Sequence, residues 1–570
     1  MTNTWCGGEF LSYKTPSALL LNPDQSFNSF GFDAEREYAS LTEYDKDSEK
    51  YFFFQRFKMI LKSSMEKRVH RKTQCTAENG ISIDAMKVFT HCINYMREHL
   101  LKRIKYINYL ISASITMDNF YFVLTVPATW DDTAKMFMRE AAVQAGINND
   151  QLLITLEPDA ALVYCHLMHL ESPDNETFLL ETECGAKCMV LDLGGTSKIT
   201  IHQLKEDGTS GELVSANGYG WGGTSIDRAF NKFLTSLFGE RVMHIFQTDP
   251  EYIEDYFEFW HQFEVKKRAF EKKRNNNKDE HKETYQPEKN VFQIRIPLAI
   301  REIVAKLNKQ GEMAAVINDA IQQLQYTNDL RFENGKLIMK SSFFEEFFKP
   351  TVEILINHLI KLYTEIGKDL KVILMVGFFS ECSVIQEAVK KEFEGKCRVV
   401  VPNQAGLAVV KGAVYFGHQP DLITERVSRY TYGIETWPAF NETKHDKSKR
   451  VVMDDVPRCK DVFFKFFSKG DIIKPGDKKS YIFKSFRPNA KALDCGVFIS
   501  NKKNPKYVDD EGCAKLGTLT IPLDGVDRNV YIKESLIFGD TELYVTACNC
   551  INKMVYKFTL DLLSEYINLS

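Results

Sequence analysis

Apolar and polar positions fall into two regimes along the chain. Up to about residue 417, short apolar runs alternate with stretches of helical period; beyond it, the helical period disappears. From Asp84, Val88, Phe89, Cys92, Ile93, Met96, Leu100 and Leu101 recur at spacings of three and four, with Lys and Arg on the opposite face, which predicts an amphipathic helix. The runs 119–126, stopped by Pro127, and 152–156 are continuously apolar, as expected of strands buried on both faces. Between them Asp131 or Asp132 caps a helix that ends at Gly146. Another helix is expected from about Pro158. Residues 19–21 predict a strand, 27–32 a second short strand and 51–61 an amphipathic or buried segment. Strands 188–193 and 198–203 are joined by Gly194-Gly195-Thr196-Ser197, a glycine-bearing hairpin turn. Helices near 224–237 and 252–275 follow, and the polar, Lys-rich stretch 272–289 reads as a solvated loop. Asn334-Gly335 predicts a hairpin. One long helix is expected over 342–366, then a strand at 371–376, a helix from 383, a strand at 398–401 and a helix over 405–416.

Residues 418–429 are polar and read as a linker. Strand patterns then recur at 463–467, 480–483, 496–500, 515–521, 529–538 and 542–547. Turns at Pro475-Gly476, Asp524-Gly525 and Gly539-Asp540 space them as in a β-sandwich. At a prior of roughly 150 residues per domain, 570 residues imply about three or four units. Charged residues make up 26% and hydrophobic residues 44%, which excludes wholesale disorder. The net charge of −4 offers no bulk attraction to nucleic acid or acidic membrane. No apolar run approaches membrane-spanning length. Residues 1–20 do not carry the pattern of a signal peptide, and thirteen scattered cysteines lack framework spacing, so reduced thiols and a cytoplasmic location are expected. Forty-one Phe supply apolar volume for several cores.

Four segments carry candidate chemistry. In Val190-Leu-Asp-Leu-Gly-Gly-Thr-Ser-Lys198, Asp192 leaves a buried strand into a Gly194-Gly195-Thr196 turn. Such a turn lets backbone N–H groups approach phosphate oxygens, while the Asp orients a water or metal. Gly222-Gly223 opens a helix, a geometry suited to anions. Glu157-Pro158 places a carboxylate where a strand becomes a helix, and Val372-Ile-Leu-Met-Val-Gly377 is a buried strand breaking at glycine. Taken singly, each reads first as ordinary structure.

Their order resembles the actin-like ATPase superfamily and, within it, the 70-kDa heat-shock protein family. Val123-Leu-Thr-Val-Pro-Ala-Thr-Trp130, Met138-Arg-Glu-Ala-Ala142, Leu156-Glu-Pro158, Tyr432-Gly433 and Phe538-Gly-Asp-Thr-Glu542 resemble its divergent heat shock 70 kDa protein 12 (A and B) branch. The resemblance runs from about residue 13 onward. It implies an α/β fold: a two-lobed actin-like ATPase domain on ribonuclease-H-like sheets, followed by a C-terminal β-sandwich. Lobe I would span 1–190, lobe II 191–395, a return to lobe I 396–417, the linker 418–429 and the sandwich 430–570, without a helical lid. The resemblance implies catalytic roles for Glu157, Asp192 and Thr196, with Asp192 also in the Mg²⁺ shell. It implies nucleotide contacts from Gly194, Gly195, Gly222, Gly223, Gly377 and the Glu264, Lys267, Arg268 helix; Lys198, which departs from the family pattern, is a candidate nucleotide contact through its own ammonium, pairing with phosphate without Mg²⁺. Lys58 matches the family's cleft lysine.

Three departures bear on function. The family's opening Asp-x-Gly-Thr-Thr phosphate loop has no counterpart before Pro16. Lys198 stands where a second aspartate belongs, opposing Mg²⁺ by charge. Phe378 replaces the second glycine of the late strand, where backbone must approach a ligand closely. The expectation is therefore a chaperone-type protein with an ATP- or ADP-binding cleft, hydrolysis weakened or lost, and protein or peptide clients, with co-chaperones, on the sandwich. Nucleic acid and membrane are not expected partners. The alternative is a pseudo-ATPase acting as a protein-binding scaffold. A sugar or metabolite kinase on the same fold leaves the strand-rich C-terminus unexplained.

Overall fold

A computed structural model of the chain describes residues 3–7, 10–44, 48–62, 68–111, 115–171, 185–271, 291–307, 313–453, 455–484, 492–523, 530–539, 543–558 and 562–563. The expected loop at 272–289 and the turn at Asp524-Gly525 lie outside these residues, as do Asp540, Thr541 and Glu542.

The largest sheet has seven strands in the order Arg398–Val400, Leu370–Val376, Lys187–Leu193, Ser197–Leu204, Ser210–Tyr219, Ile423–Val427, Ile472–Ile473. Lys187–Leu193 pairs in parallel with Leu370–Val376 and antiparallel with Ser197–Leu204. Its period of two sorts its side chains. Met189, Leu191 and Leu193 join a core with the Gly223–Phe238 helix, while Cys188 and Val190 join a second core with the helices Glu157–Glu171 and Ala408–His418. Burial on both faces explains the apolar stretch 188–191.

Ala18–Leu21 lies between Phe27–Phe30 and Phe52–Gln55 in a three-stranded sheet. Leu19, Leu21, Phe52 and Phe54 face the helices Ala85–Ile111 and Asp132–Gln144; Leu20 and Phe53 face Phe257 of the Ile253–Arg268 helix. Asp131 caps its helix by accepting from Ala134 N–H at 2.9 Å. Phe122–Val126 and Leu152–Leu156 form a separate parallel pair.

The expected 342–366 helix is two helices, Ser341–Glu345 and Lys349–Ile366, with Pro350 in the first turn of the second. Within 418–429, Ile423–Val427 forms a strand beside Ser210–Tyr219. Beyond it, two antiparallel four-stranded sheets share one apolar core: Val462–Phe467, Thr431–Thr436, Ala492–Ser500, Cys513–Pro522, and Lys478–Lys484, Tyr531–Phe538, Leu543–Asn549, Val555–Phe558. Among the described residues, eleven cysteines between Cys75 and Cys550 are free, and no helix is long and apolar enough to cross a membrane.

Candidate functional site

Asp192 and Lys198 sit directly opposite each other across the hairpin. Cross-strand partners lie close enough for charged side chains to meet, and the Lys198 ammonium is 3.2 Å from Asp192 Oδ2. The same ammonium donates to Glu157 Oε2. Glu157 is the first residue of the Glu157–Glu171 helix, where a carboxylate is favoured by the helix dipole. Its other oxygen accepts from Lys58 Nζ at 2.8 Å. Lys58 projects from a 3-10 turn, Phe57–Leu61. The result is an alternating chain of charges: Lys58, Glu157, Lys198, Asp192.

Burial alone would raise the Glu157 carboxyl pKa, but the Lys58 and Lys198 ammoniums hold it well below the usual carboxylate range. Burial would likewise lower Lys198, yet Glu157 and Asp192 push it up. Lys14 lies near the same carboxylates, and burial lowers its pKa against their attraction. Its ammonium is 4.4 Å from the centroid of the Phe378 ring, and the Arg268 guanidinium is 4.9 Å from that ring. The ring also lies on Gly406, where a Cβ would come within 2.4 Å of it. Ser12, Tyr13, Arg268, Phe378, Glu381 and Gln404 border a cavity of about 310 Å³.

The glycines are required by close approach. Gly377 has φ +89°, and a Cβ there would lie 2.4 Å from the Leu193 carbonyl oxygen and 2.9 Å from Asp192 Oδ1. A Cβ on Gly222 would lie 2.7 Å from the Gly195 carbonyl. The two glycine loops bond to each other: Gly223 N–H donates to Gly194 O at 2.9 Å and Thr224 N–H to Gly195 O at 3.3 Å. Thr196 joins the turn through its carbonyl, which accepts from Gly194 N–H at 3.1 Å. Two donors of the Gly223–Phe238 helix start are thus satisfied within the protein rather than left for an anion.

A second ionic cluster surrounds Lys267, which is 2% exposed. Its ammonium is 2.5 Å from both Asp227 Oδ1 and Glu264 Oε2, and 3.3 Å from Gly223 O. Burial raises the Asp227 pKa, with Lys267 pulling the other way. Arg268 Nε is 3.4 Å from Glu264.

No protein-family model matches the chain. Individual proteins do. The chain is 29% identical over 616 residues to heat shock 70 kDa protein 12A of Mus musculus, covering 98% of this chain and 87% of the relative. It is 28% identical over 616 residues to heat shock 70 kDa protein 12A of Homo sapiens, with the same coverage. It is 29% identical over 629 residues to heat shock 70 kDa protein 12B of Homo sapiens, covering 99% of this chain and 88% of the relative. Over nearly its whole length the chain is thus similar to the protein 12 branch of the 70-kDa heat-shock proteins.

Within this heat-shock-70-like frame, the residues do not fit Mg²⁺. Both carboxylates that would serve it, Glu157 and Asp192, are bridged by one ammonium. Among the described residues, no group of three or more acidic, His or Cys side chains could hold a metal ion. The structure joins Glu157, Asp192, Lys198 and Lys58 into one cluster and Glu264, Lys267 and Arg268 into the other. Two participants were not foreseen. Asp227 could have been found from helical spacing, since it follows Gly223 by four residues and so shares its face. Lys14 has no local signal; only tertiary packing brings it to Phe378.

Proposed function

We propose that this chain is a heat-shock-70-like, protein-binding pseudo-ATPase. On this reading it has a two-lobed ATPase-type domain whose cleft no longer turns over ATP, followed by a β-sandwich that takes protein or peptide clients and co-chaperones. The observation that carries the reading is the Lys198 ammonium bridging Glu157 and Asp192. Phosphoryl transfer depends on metal and positioned donors to offset developing charge. Here the metal's carboxylates are neutralised by Lys198, and two of the helix-start N–H groups are spent on the neighbouring loop.

The test is phosphate release from ATP by the full chain, alongside thermal melts with ATP or ADP in Mg²⁺ and in EDTA. The expected result is no phosphate release and no Mg²⁺-dependent rise in melting temperature. Mg²⁺-dependent stabilisation with turnover would overturn it. The roughly 310 Å³ cavity beside Arg268 and Phe378 favours a second reading, an ATP- or ADP-binding chaperone without turnover. Stabilisation by ADP in EDTA would select that reading.

A further inference from the structure

Five lysines gather on one corner of the C-terminal sheets. Lys502, Lys503 and Lys506 are exposed in the loop 501–512, which joins Ala492–Ser500 to Cys513–Pro522. Lys465 on the Val462–Phe467 strand and Lys469 just past it reach the same loop. The Lys465 ammonium donates to Asn504 Oδ1 at 2.7 Å and to the Lys503 carbonyl at 3.5 Å, and the Lys469 ammonium donates to the Asn501 carbonyl at 3.2 Å. Among the described residues, none of the five forms an ion pair. The acids nearby are already engaged. Lys449 takes Asp461 at 2.8 Å and also Asp509, while the Asp510 carboxylate accepts from the Lys506 and Tyr507 N–H groups at 2.9 and 3.0 Å.

The loop is fastened to the sheet. The Thr431 hydroxyl donates to the Lys502 carbonyl at 2.7 Å, and Phe463 N–H donates to the Lys506 carbonyl at 3.0 Å. Five like charges held together repel one another, and a counter-charge from outside would relieve them. Each ammonium carries three donors, so Lys465 and Lys469 keep donors to spare after their bonds to the loop. A surface ordered in advance also loses little entropy when a ligand docks.

We propose that this corner docks a short acidic segment of a partner protein, a run of Glu or Asp side chains, on the ammoniums of Lys465, Lys469, Lys502, Lys503 and Lys506. Such docking goes beyond the client reading above and rests neither on it nor on the state of the cleft. Charge selects the partner's sign, and three features select carboxylates over a phosphate surface. All five cations are Lys, and none offers the guanidinium fork that suits phosphate. The loop's one aromatic residue, Tyr507, is buried, so no ring is presented to a nucleobase. The loop's exposed residues are all polar or charged, leaving nothing to insert into a bilayer. Asp509 and Glu511, exposed further along the loop, would also meet any broad anionic surface, whereas a segment of a few residues need cover only the lysine end.

The test uses the full chain and a rhodamine-labelled peptide with six consecutive glutamates; the control peptide carries glutamines instead. The glutamate peptide should bind saturably by anisotropy, and its affinity should fall about tenfold as NaCl rises from about 50 to 200 mM, because exposed charge pairs are screened. The glutamine peptide should not bind. Lys502→Gln with Lys503→Gln should weaken binding about three- to tenfold, and adding Lys465→Gln and Lys469→Gln should abolish it. Lys478→Gln with Lys484→Gln, on the other sheet, should change nothing. Lys502 and Lys503 are exposed, so an unchanged melting temperature would show that their double variant folds, and that variant decides the test if the quadruple one does not fold. No binding of the glutamate peptide, equal binding of the glutamine peptide, or full affinity in the double variant would overturn the proposal. So would tighter binding to phosphatidylserine vesicles or single-stranded DNA than to the glutamate peptide, lost in the same variant, which would assign the corner to phosphate.

Discussion

Removing the Lys198 ammonium isolates the element on which the pseudo-ATPase reading rests. At an effective dielectric of about 20, opposite charges 3.2 Å apart attract by roughly 5 kcal/mol. Much of that is offset by the desolvation of three largely buried groups. Deleting one partner is costlier than the net worth of the bridge, because Asp192 and Glu157 stay buried; about 3–5 kcal/mol is expected for Lys198→Ala. For a cooperative unit of about 400 residues, at about 2.1 cal/mol/K per residue, the melting temperature should fall by about 4–6 °C at pH 7. The pH dependence separates charge from packing. Glu157 is held below its unfolded pKa, so its stabilisation is complete above about pH 4.3 and is lost only as pH falls towards the depressed folded value. In the variant Lys58 is the main cation left to oppose burial, so the carboxyl pKa rises and protonation relieves the unpaired charge. The deficit should therefore be largest near neutrality and shrink towards pH 4.5. Melts across pH 4.5–7.5, with Lys198→Met to retain the aliphatic stem, measure this. A deficit below about 1 kcal/mol at pH 7, or one independent of pH, would refute the ionic account.

Lys198→Asp leaves three carboxylates together, so millimolar Mg²⁺ should raise its melting temperature by a few degrees while leaving the parent unchanged. Gly377→Ala should destabilise by about 2–4 kcal/mol in urea melts, because φ is positive and the new methyl meets the Leu193 carbonyl. Burial, with Asp159 adding, pushes the Glu212 carboxyl up to about 7, so the folded state holds an extra proton between about pH 4.3 and 7 and loses stability as pH rises through that window. Glu212→Gln should match the parent near pH 4.5 and exceed it by up to roughly 3 kcal/mol at pH 8, read as paired thermal melts.

Elements whose cause is local were legible in the sequence. Burial on both faces produced the apolar stretch 188–191 within Lys187–Leu193. Asn334-Gly335 has positive φ at both residues, 52° and 72°, as its hairpin requires. Ser210–Tyr219 escaped notice because Ser, Gly and Asn are poor strand formers; its ladder with Ser197–Leu204 holds it extended. Ile423–Val427 looked like linker because its Thr, Glu and Arg are polar, and its partner strand lies some two hundred positions earlier. In the site, Asp192, Gly194, Gly195, Gly222 and Gly223 were visible through spacing. The Lys198 bridge to Glu157 was not, since two distant segments must meet before the lysine's second partner exists.

The first turn of the Glu157–Glu171 helix links the ionic cluster to the C-terminal sheets. Glu157 faces Lys58 and Lys198, while Asp159, two residues on, pairs with Arg426 of the Ile423–Val427 strand. Glu212 accepts from Val427 N–H at 3.0 Å on the same strand. Arg429 donates to the carbonyls of Ala128 and Trp130 at 2.8 Å, and the Tyr432 hydroxyl to Asp132 at 2.7 Å. A ligand could loosen this attachment only through a difference in its affinity for two arrangements of the turn. With Glu157 already clamped by two ammoniums, a bound anion must compete with Glu157 for Lys198 before the turn can respond. On the proposed reading the attachment of the C-terminal sheets is therefore constitutive, and binding by those sheets is set by partner concentration rather than by a nucleotide cycle.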